Sequence, residues 1–240
     1  MKSTLTNTQK MLEPHPETWD EVWKNKNLTT PSPMGQRIYQ EIRLKINPAN
    51  CDVLELGCGC GELLRLAAND YARKVIGVDA SSQALILARK MLQDTEHQLI
   101  QKNIFDLPDR PLAHIVWSSG VVEHFSGDRL LQIMDLHRRL SKKYVVVVAP
   151  ASPHWNDIRM RRKKTLEKFG WQLPLTARKL QNLGNQVGLK TLGVRRFMSE
   201  YCIDWTFVRR YLFSLKARCP GIDQWLGGLI VAWYQRNDRV

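Results

Sequence analysis

The stretch Val53-Leu54-Glu55-Leu56-Gly57-Cys58-Gly59-Cys60-Gly61-Glu62-Leu63-Leu64 constrains this chain more than any other. An apolar run ends in an acid, three glycines follow at alternate positions, and a helical pattern begins. That reads as a buried strand, a tight turn and a helix start. Glycine permits positive φ and lets the backbone come close to a ligand at a helix N-terminus. A dinucleotide turn, Gly-x-Gly-x-x-Gly, needs its third glycine three places after the second. Here that place is Glu62 and the third glycine is Gly61, so the spacing excludes it.

The surrounding chain repeats the alternation. Cys51–Leu56, Val75–Val78, Leu99–Lys102, Ile115–Ser118 and Tyr144–Ala149 are short β-branched or apolar runs. Runs of that kind suit parallel strands covered on both faces. Between them Glu62–Asn69, Ser81–Asp94 and Gly127–Leu140 carry helical patterns, with Ser81 or Ser82 placed to cap the second. The alternation predicts right-handed βαβ units and an open doubly wound α/β sheet.

Residues 17–47 predict two helices parted by Thr29-Thr30-Pro31-Ser32-Pro33, with Trp19 and Trp23 one turn apart on one face. A loop over Pro150–Pro153 leads to a basic helix over 156–168, and then to a helix over Thr176–Val187, capped by Thr176 and stopped at Gly188. A further helix over 204–217 would turn Val208, Tyr211, Leu212 and Leu215 inward and Arg209, Arg210 and Lys216 outward. Lys190–Phe197 and Gly228–Gln235 are the last strand candidates.

The spacing Glu55-x-Gly57-x-Gly59-x-Gly61 resembles the first motif of class I S-adenosylmethionine-dependent methyltransferases, of the small-molecule type. Asp79 closes the second strand where that family places a ribose-binding acid. Asn103-Ile104-Phe105-Asp106-Leu107-Pro108 is similar to its adenine-contacting loop, and Trp117–Phe125 (WSSGVVEHF) to the motif after its fourth strand. The resemblance covers about residues 51–150. It implies a seven-stranded Rossmann-like sheet of order 3-2-1-4-5-7-6, with GLIVAWYQ as the antiparallel seventh strand. The chain would form one domain: an N-terminal helical lid over 1–48, a cofactor-binding core over 51–150, and a basic substrate-side region with the last strands over 151–240. S-adenosylmethionine would be the cofactor. The family pattern would set Gly57, Cys58, Gly59 and Gly61 along its methionine part, with Glu55 near the ammonium. Asp79 and Ala80 would meet the ribose, Ile104, Phe105 and Asp106 the adenine, and Ser119 the methionine end. The fourth strand departs from the pattern by starting with His114 rather than an acid.

The 240 residues carry a net charge of +13, unevenly placed. Residues 1–150 hold 19 Lys and Arg against 17 Asp and Glu, whereas 151–240 hold 17 against 6. A basic third of this kind attracts phosphates, carboxylates, nucleic acid or an anionic membrane surface. The expected reaction is transfer of the methyl group to an oxygen or nitrogen of a small molecule, acidic or membrane-associated. An RNA or protein methyltransferase docking through the basic third comes second, although Ser118-Ser119-Gly120-Val121 lacks the Asn/Asp-Pro-Pro-Tyr pattern of many RNA enzymes. A non-catalytic cofactor-binding partner of another enzyme comes third.

His124 is the candidate base, because an imidazole can take a proton near neutral pH; packing against the sheet is its competing role. Glu123 reads as structural or cofactor-proximal. His154 and Trp155 follow the fifth strand at the ligand-binding edge. Trp19 and Trp23 read as core or lid packing, and the run Arg159–Lys164 as a solvated helix face or a basic wall. No carboxylate cluster suggests magnesium, and Cys58 with Cys60 cannot complete a zinc site, so no metal is expected. Five cysteines, a polar start broken by Pro14 and Pro16, and no long apolar stretch point to a cytoplasmic protein without a transmembrane segment. Peripheral membrane contact through the basic segment 205–218 stays open, and no feature sets an oligomeric state.

Overall fold

The computed structural model describes residues 16–154, 156–201, 206–219 and 221–237. Its centre is one seven-stranded sheet of order β3-β2-β1-β4-β5-β7-β6. The strands are β1 Asp52–Leu56, β2 Lys74–Asp79, β3 His97–Gln101, β4 Ala113–Ser119, β5 Ser141–Pro150, β6 Leu189–Phe197 and β7 Leu229–Arg236. The first five run parallel, and β7 lies antiparallel between β5 and β6. Helices α1 Pro16–Trp23, α2 Pro33–Arg43, α3 Glu62–Asn69, α4 Ser82–Met91, α5 Gly127–Leu140 and α8 Ala177–Gln186 join or flank the strands. Short helices α6 Asn156–Met160 and α7 Lys163–Phe169 follow β5, and α9 Thr206–Arg218 with α10 Ile222–Leu226 lie between β6 and β7. None of the described helices is long and apolar enough to cross a membrane.

Successive strand side chains point to opposite faces, and both faces here are buried. Leu54, Leu56, Val145 and Val147 pack with Leu130 and Ile133 of α5 and Leu180 and Leu183 of α8. Val53, Val146 and Val148 face the other way, onto Ile38 and Ile42 of α2 and Leu63 and Leu64 of α3. Two neighbours on β7 fasten one layer each. The Trp233 indole donates to the Ile42 carbonyl at 2.9 Å, and the Tyr234 hydroxyl donates to the Leu180 carbonyl at 2.9 Å. His137 of α5 is buried and bridges the Ile133 carbonyl and the Ser118 hydroxyl, tying that helix to β4. His114, at the start of β4, accepts the Asp52 amide with Nδ1 at 3.2 Å and so aligns β4 with β1.

Three expectations on the basic side are corrected. The helix expected over 156–168 is two helices, broken where Arg162 takes an extended backbone (φ −71°, ψ 136°). Consecutive cations from Arg161 to Lys164 repel across a helical turn, which disfavours continuing it. On α9, Tyr211 is 60% exposed rather than inward, whereas Leu212 is buried. Lys216 turns inward, to Glu200 and to Asp223, the latter at 3.1 Å. An apolar-face reading misplaced Lys216 because its partners lie on other elements. Trp155 and Trp205 lie outside the described residues, as does the Arg209 side chain.

Candidate active site

Every loop leaving the carboxyl ends of β1 to β4 contributes to one cavity. Its wall includes Gly57, Gly59, Asp79, Ala80, Ile104, Phe105, Ser119 and His124, together with Trp19 and Trp23 of α1. It encloses about 210 Å³. Ligand sites collect at this edge of an open α/β sheet because the strands end there and the helix N-termini begin.

The turn after β1 is shaped by backbone. The Gly57 and Cys58 amides both donate to the Val78 carbonyl, at 2.8 and 3.0 Å, which clamps the turn onto β2. Gly57 and Gly59 have φ of +66° and +52°. A Cβ on Gly57 would lie 2.5 Å from Val121, and one on Gly59 2.7 Å from the Trp23 ring. Asp79 takes the Gly59 amide on one carboxylate oxygen at 2.8 Å and the Ser81 amide on the other at 2.9 Å. A carboxylate has about four lone-pair directions, so Asp79 can still accept ligand hydroxyls. Burial, opposed by these amides, raises its pKa.

Four of the expected cofactor residues are not on the cavity wall. Gly61 caps α3 with its Cα toward Ala88 and Leu92 of α4, a packing position. The Cys58 thiol is buried against Gly77, and burial holds its pKa well above normal. Asp106 is exposed beyond the Asn103–Phe105 turn. Glu55 is buried beneath the glycine turn, with Oε2 lacking a hydrogen-bond partner among the described residues. Burial pushes its carboxyl well above the usual range, the Trp117 indole acting in the opposite sense. A turn with two glycines at positive φ on the cavity wall, with a spare-capacity carboxylate beside it, fits a ligand carrying a ribose.

The far wall is built by the turn after β4. His124 is buried, and its Nδ1 lies 3.0 Å from the Trp171 carbonyl. A carbonyl only accepts, which assigns the ring proton to Nδ1 and the lone pair to Nε2. Burial outweighs that bond and brings the imidazole pKa down to about 4. Trp19 meets the His124 ring edge-on, with centroids 5.1 Å apart and planes at 83°. Glu123 is not on the cavity wall and is buried, with Oε2 unpartnered among the described residues; burial pushes its carboxyl up to about 8. His154 lies instead against Gly228, its Cε1 2.8 Å from where a Cβ there would stand.

Sequence reasoning missed several wall residues. Lys102, Asn103, Gly120, Val121 and Phe125 all line the cavity. Asn103 was legible as a turn residue: its side chain accepts the Phe105 amide at 3.0 Å. Phe105 is held between Phe125, edge-on at 5.3 Å, and the Arg129 guanidinium, 3.7 Å above its ring. Phe125 closes the WSSGVVEHF motif but was given no role of its own, and nothing local marks Arg129, which is recruited through the fold.

Residues 53–143 match the family model described as a methyltransferase domain. This segment is thus similar to a methyltransferase domain, on a sheet of order β3-β2-β1-β4-β5-β7-β6. The chain is 34% identical over 104 residues to a tRNA U34 carboxymethyltransferase of Shewanella denitrificans, covering 40% of this chain and 32% of that protein. It is 44% identical over 69 residues to a release factor glutamine methyltransferase of Caulobacter vibrioides, covering 28% and 24%. The matches therefore span only about a third and a quarter of those relatives' lengths. Among solved structures, an S-adenosylmethionine-dependent methyltransferase from Mesorhizobium loti superposes with a TM-score of 0.62 at 15% identity, over 83% of this chain and 96% of that one. That likeness establishes the methyltransferase fold.

Proposed function

We propose that this methyltransferase domain moves a methyl group from S-adenosylmethionine to an oxygen or nitrogen of a small, acidic acceptor. One observation carries the reading. One partly open cavity joins the glycine turn and Asp79 on one side to His124, Trp19 and Trp23 on the other, with Lys102 as a cation in its wall. S-adenosylmethionine, when bound, supplies a methyl group already activated by the sulfonium charge. Gly57 and Gly59 would pass the methionine part, Asp79 and Ala80 would hold the ribose, and Ile104 and Phe105 would border the adenine. Ser119 would fix the methionine end, and Glu55 would offer its unpartnered oxygen toward the ammonium.

The protein's main contribution is then alignment and exclusion of water, which can supply roughly 7–11 kcal/mol of barrier reduction. His124 is neutral at pH 7 with its lone pair on Nε2, so it can receive the acceptor's proton. A hydroxyl becomes strongly acidic as its oxygen gains the methyl group, so a base this weak suffices. Helix α1 acts as the lid, and Lys102 meets the acceptor's acidic group.

The test is transfer of labelled methyl from S-adenosylmethionine into a cell extract resolved into small molecules, lipid, RNA and protein. Label in the small-molecule or lipid fraction supports the reading, and His124→Gln should then slow transfer without weakening cofactor binding. A second reading, an RNA or protein acceptor, is favoured by the exposed cations Arg161, Arg162, Lys163 and Lys164 and by the names of the two relatives. Label in RNA or protein would replace the first reading with it. Tight cofactor binding with no transfer into any fraction would favour a non-catalytic partner.

A further inference from the structure

Helix α1 is joined to the turn that carries Asp79 through hydrogen bonds of Asp20. Asp20 lies between the two tryptophans in sequence, and its Oδ1 accepts from the Ser81 hydroxyl at 2.6 Å and from the Gln83 amide at 3.2 Å. Both donors sit at the N-terminus of α4, where exposed amides favour a negative charge. Ser81 has a second bond on the same turn, since its amide donates to Asp79 Oδ1 at 2.9 Å. Asp79 Oδ2 in turn takes the Gly59 amide, and Gly59 faces the Trp23 ring. A closed circuit results: Trp23 over Gly59, Gly59 to Asp79, Asp79 to Ser81, Ser81 to Asp20, and Asp20 back to the helix that carries Trp23.

Two further facts give the circuit a consequence. The cavity beneath α1 encloses about 210 Å³, less than the roughly 300–1,000 Å³ usual for ligand sites. The cavity is partly open to solvent and α1 forms one of its walls, so the seating of α1 helps to set the space a ligand finds there. In addition, Asp20 and Asp79 are like charges held through one serine. Hydroxyls donated to Asp79 by a ligand would disperse its charge and relieve the repulsion on Asp20.

We propose that Asp20 is a positioning residue that couples seating of α1 to occupancy of Asp79, so that a ribose on Asp79 and the seated helix stabilise each other. The coupling is reciprocal, as any linkage between two sites must be. It rests on the cofactor reading above for the identity of the ligand.

The experiment uses the full chain, with S-adenosylhomocysteine as the probe, in wild type, Asp20→Ala and Asp20→Asn. Hydrogen exchange of residues 16–23 is followed with and without the probe, and probe release is timed by tryptophan fluorescence. The probe should slow exchange of 16–23 in wild type. Asp20→Ala should raise exchange in the free protein, abolish the probe's effect, and speed release about tenfold, as expected for one lost charge-assisted bond. Asp20→Asn retains the accepting oxygen and should restore slow exchange in the free protein, but without the charge it should show a smaller effect of the probe than wild type. Unchanged exchange and release in Asp20→Ala, or Asp20→Asn as defective as Asp20→Ala, would overturn the coupling. Failure of wild type to bind the probe would instead sink the cofactor reading, and exchange in the free proteins would still decide whether Asp20 seats α1.

Discussion

Between β1 and β4 the carboxyl edge of the sheet presents backbone, and beyond β5 it presents charge pairs. In the first region Gly57, Cys58 and Gly59 are positioned by amide bonds to Val78 and Asp79, at positive φ for both glycines. In the second, Arg196 forks onto the Gly227 and Pro153 carbonyls, and Lys216 sits between Glu200 and Asp223. Asp223 also accepts the Ser199 amide at 2.9 Å, while Arg37 pairs with the buried Glu41 at 2.8 Å and reaches Asp223 at 4.0 Å. A backbone cradle can be broken only by altering dihedral angles or by adding atoms to a crowded turn. A cap held by charges depends on every partner being present, because a buried charge left alone is costly. The glycine-turn region is thus specified by a short stretch of chain, and the region beyond β5 by residues far apart in sequence.

The sharpest test of that contrast is Asp79→Ala. It removes the acceptor for two amides and for the ribose, and should weaken S-adenosylhomocysteine by about 3 kcal/mol, or ~100-fold, in calorimetry. Unchanged affinity would remove Asp79 from the site. Lys216→Met should act on the other region alone. Leaving Asp223 and Glu200 without their cation should cost about 2–3 kcal/mol in urea denaturation while cofactor affinity holds. A parallel fall in affinity would show that the two regions are not independent.

Titration probes the seam between them. Glu123 has its pKa raised from 4.5 to about 8, so its neutral form is the one the fold accommodates. Its contribution to stability is complete below pH 4.5 and is lost as pH rises through about 8. Glu123→Gln should therefore gain ~1–2 kcal/mol over wild type at pH 9, and an equal pH slope in both proteins would refute the burial argument. His124 and His137 run the other way. Both are depressed from 6.5 to about 4, so their contributions are complete above pH 6.5 and disappear as pH falls through about 4. Smallest of all, Lys163→Ala should leave the urea midpoint unchanged. Its ion pair with Glu167 is 3.8 Å long and its side chain is 90% exposed, where water and salt screen the pair.

Much of the fold was readable along the chain because its determinants are local. Five parallel strands announce themselves as apolar runs, Ser81 and Thr176 cap the helices expected of them, and the spacing of Gly57 and Gly59 marks the turn. The same spacing singled out Gly61, which serves helix packing instead. Positive φ is needed in both places, and sequence does not say which side of the turn a ligand would use. Trp19 and His124 were each visible as unusual residues, but their contact spans more than a hundred positions. Asp20 carried no signal at all, since an acid on a polar helix looks like any solvated side chain.

What the sequence determined by itself is the element order, the parallel core and the glycine turn, since hydrophobic period and backbone sterics act within a few residues. Only the tertiary structure decided that Trp19 and Trp23 of α1 line the cavity, that Lys216 turns inward, and that Glu55 lies beneath the turn with an oxygen unpartnered among the described residues. Those outcomes depend on which distant groups meet in low dielectric, where burial and charge pairing, rather than local propensity, set the energy.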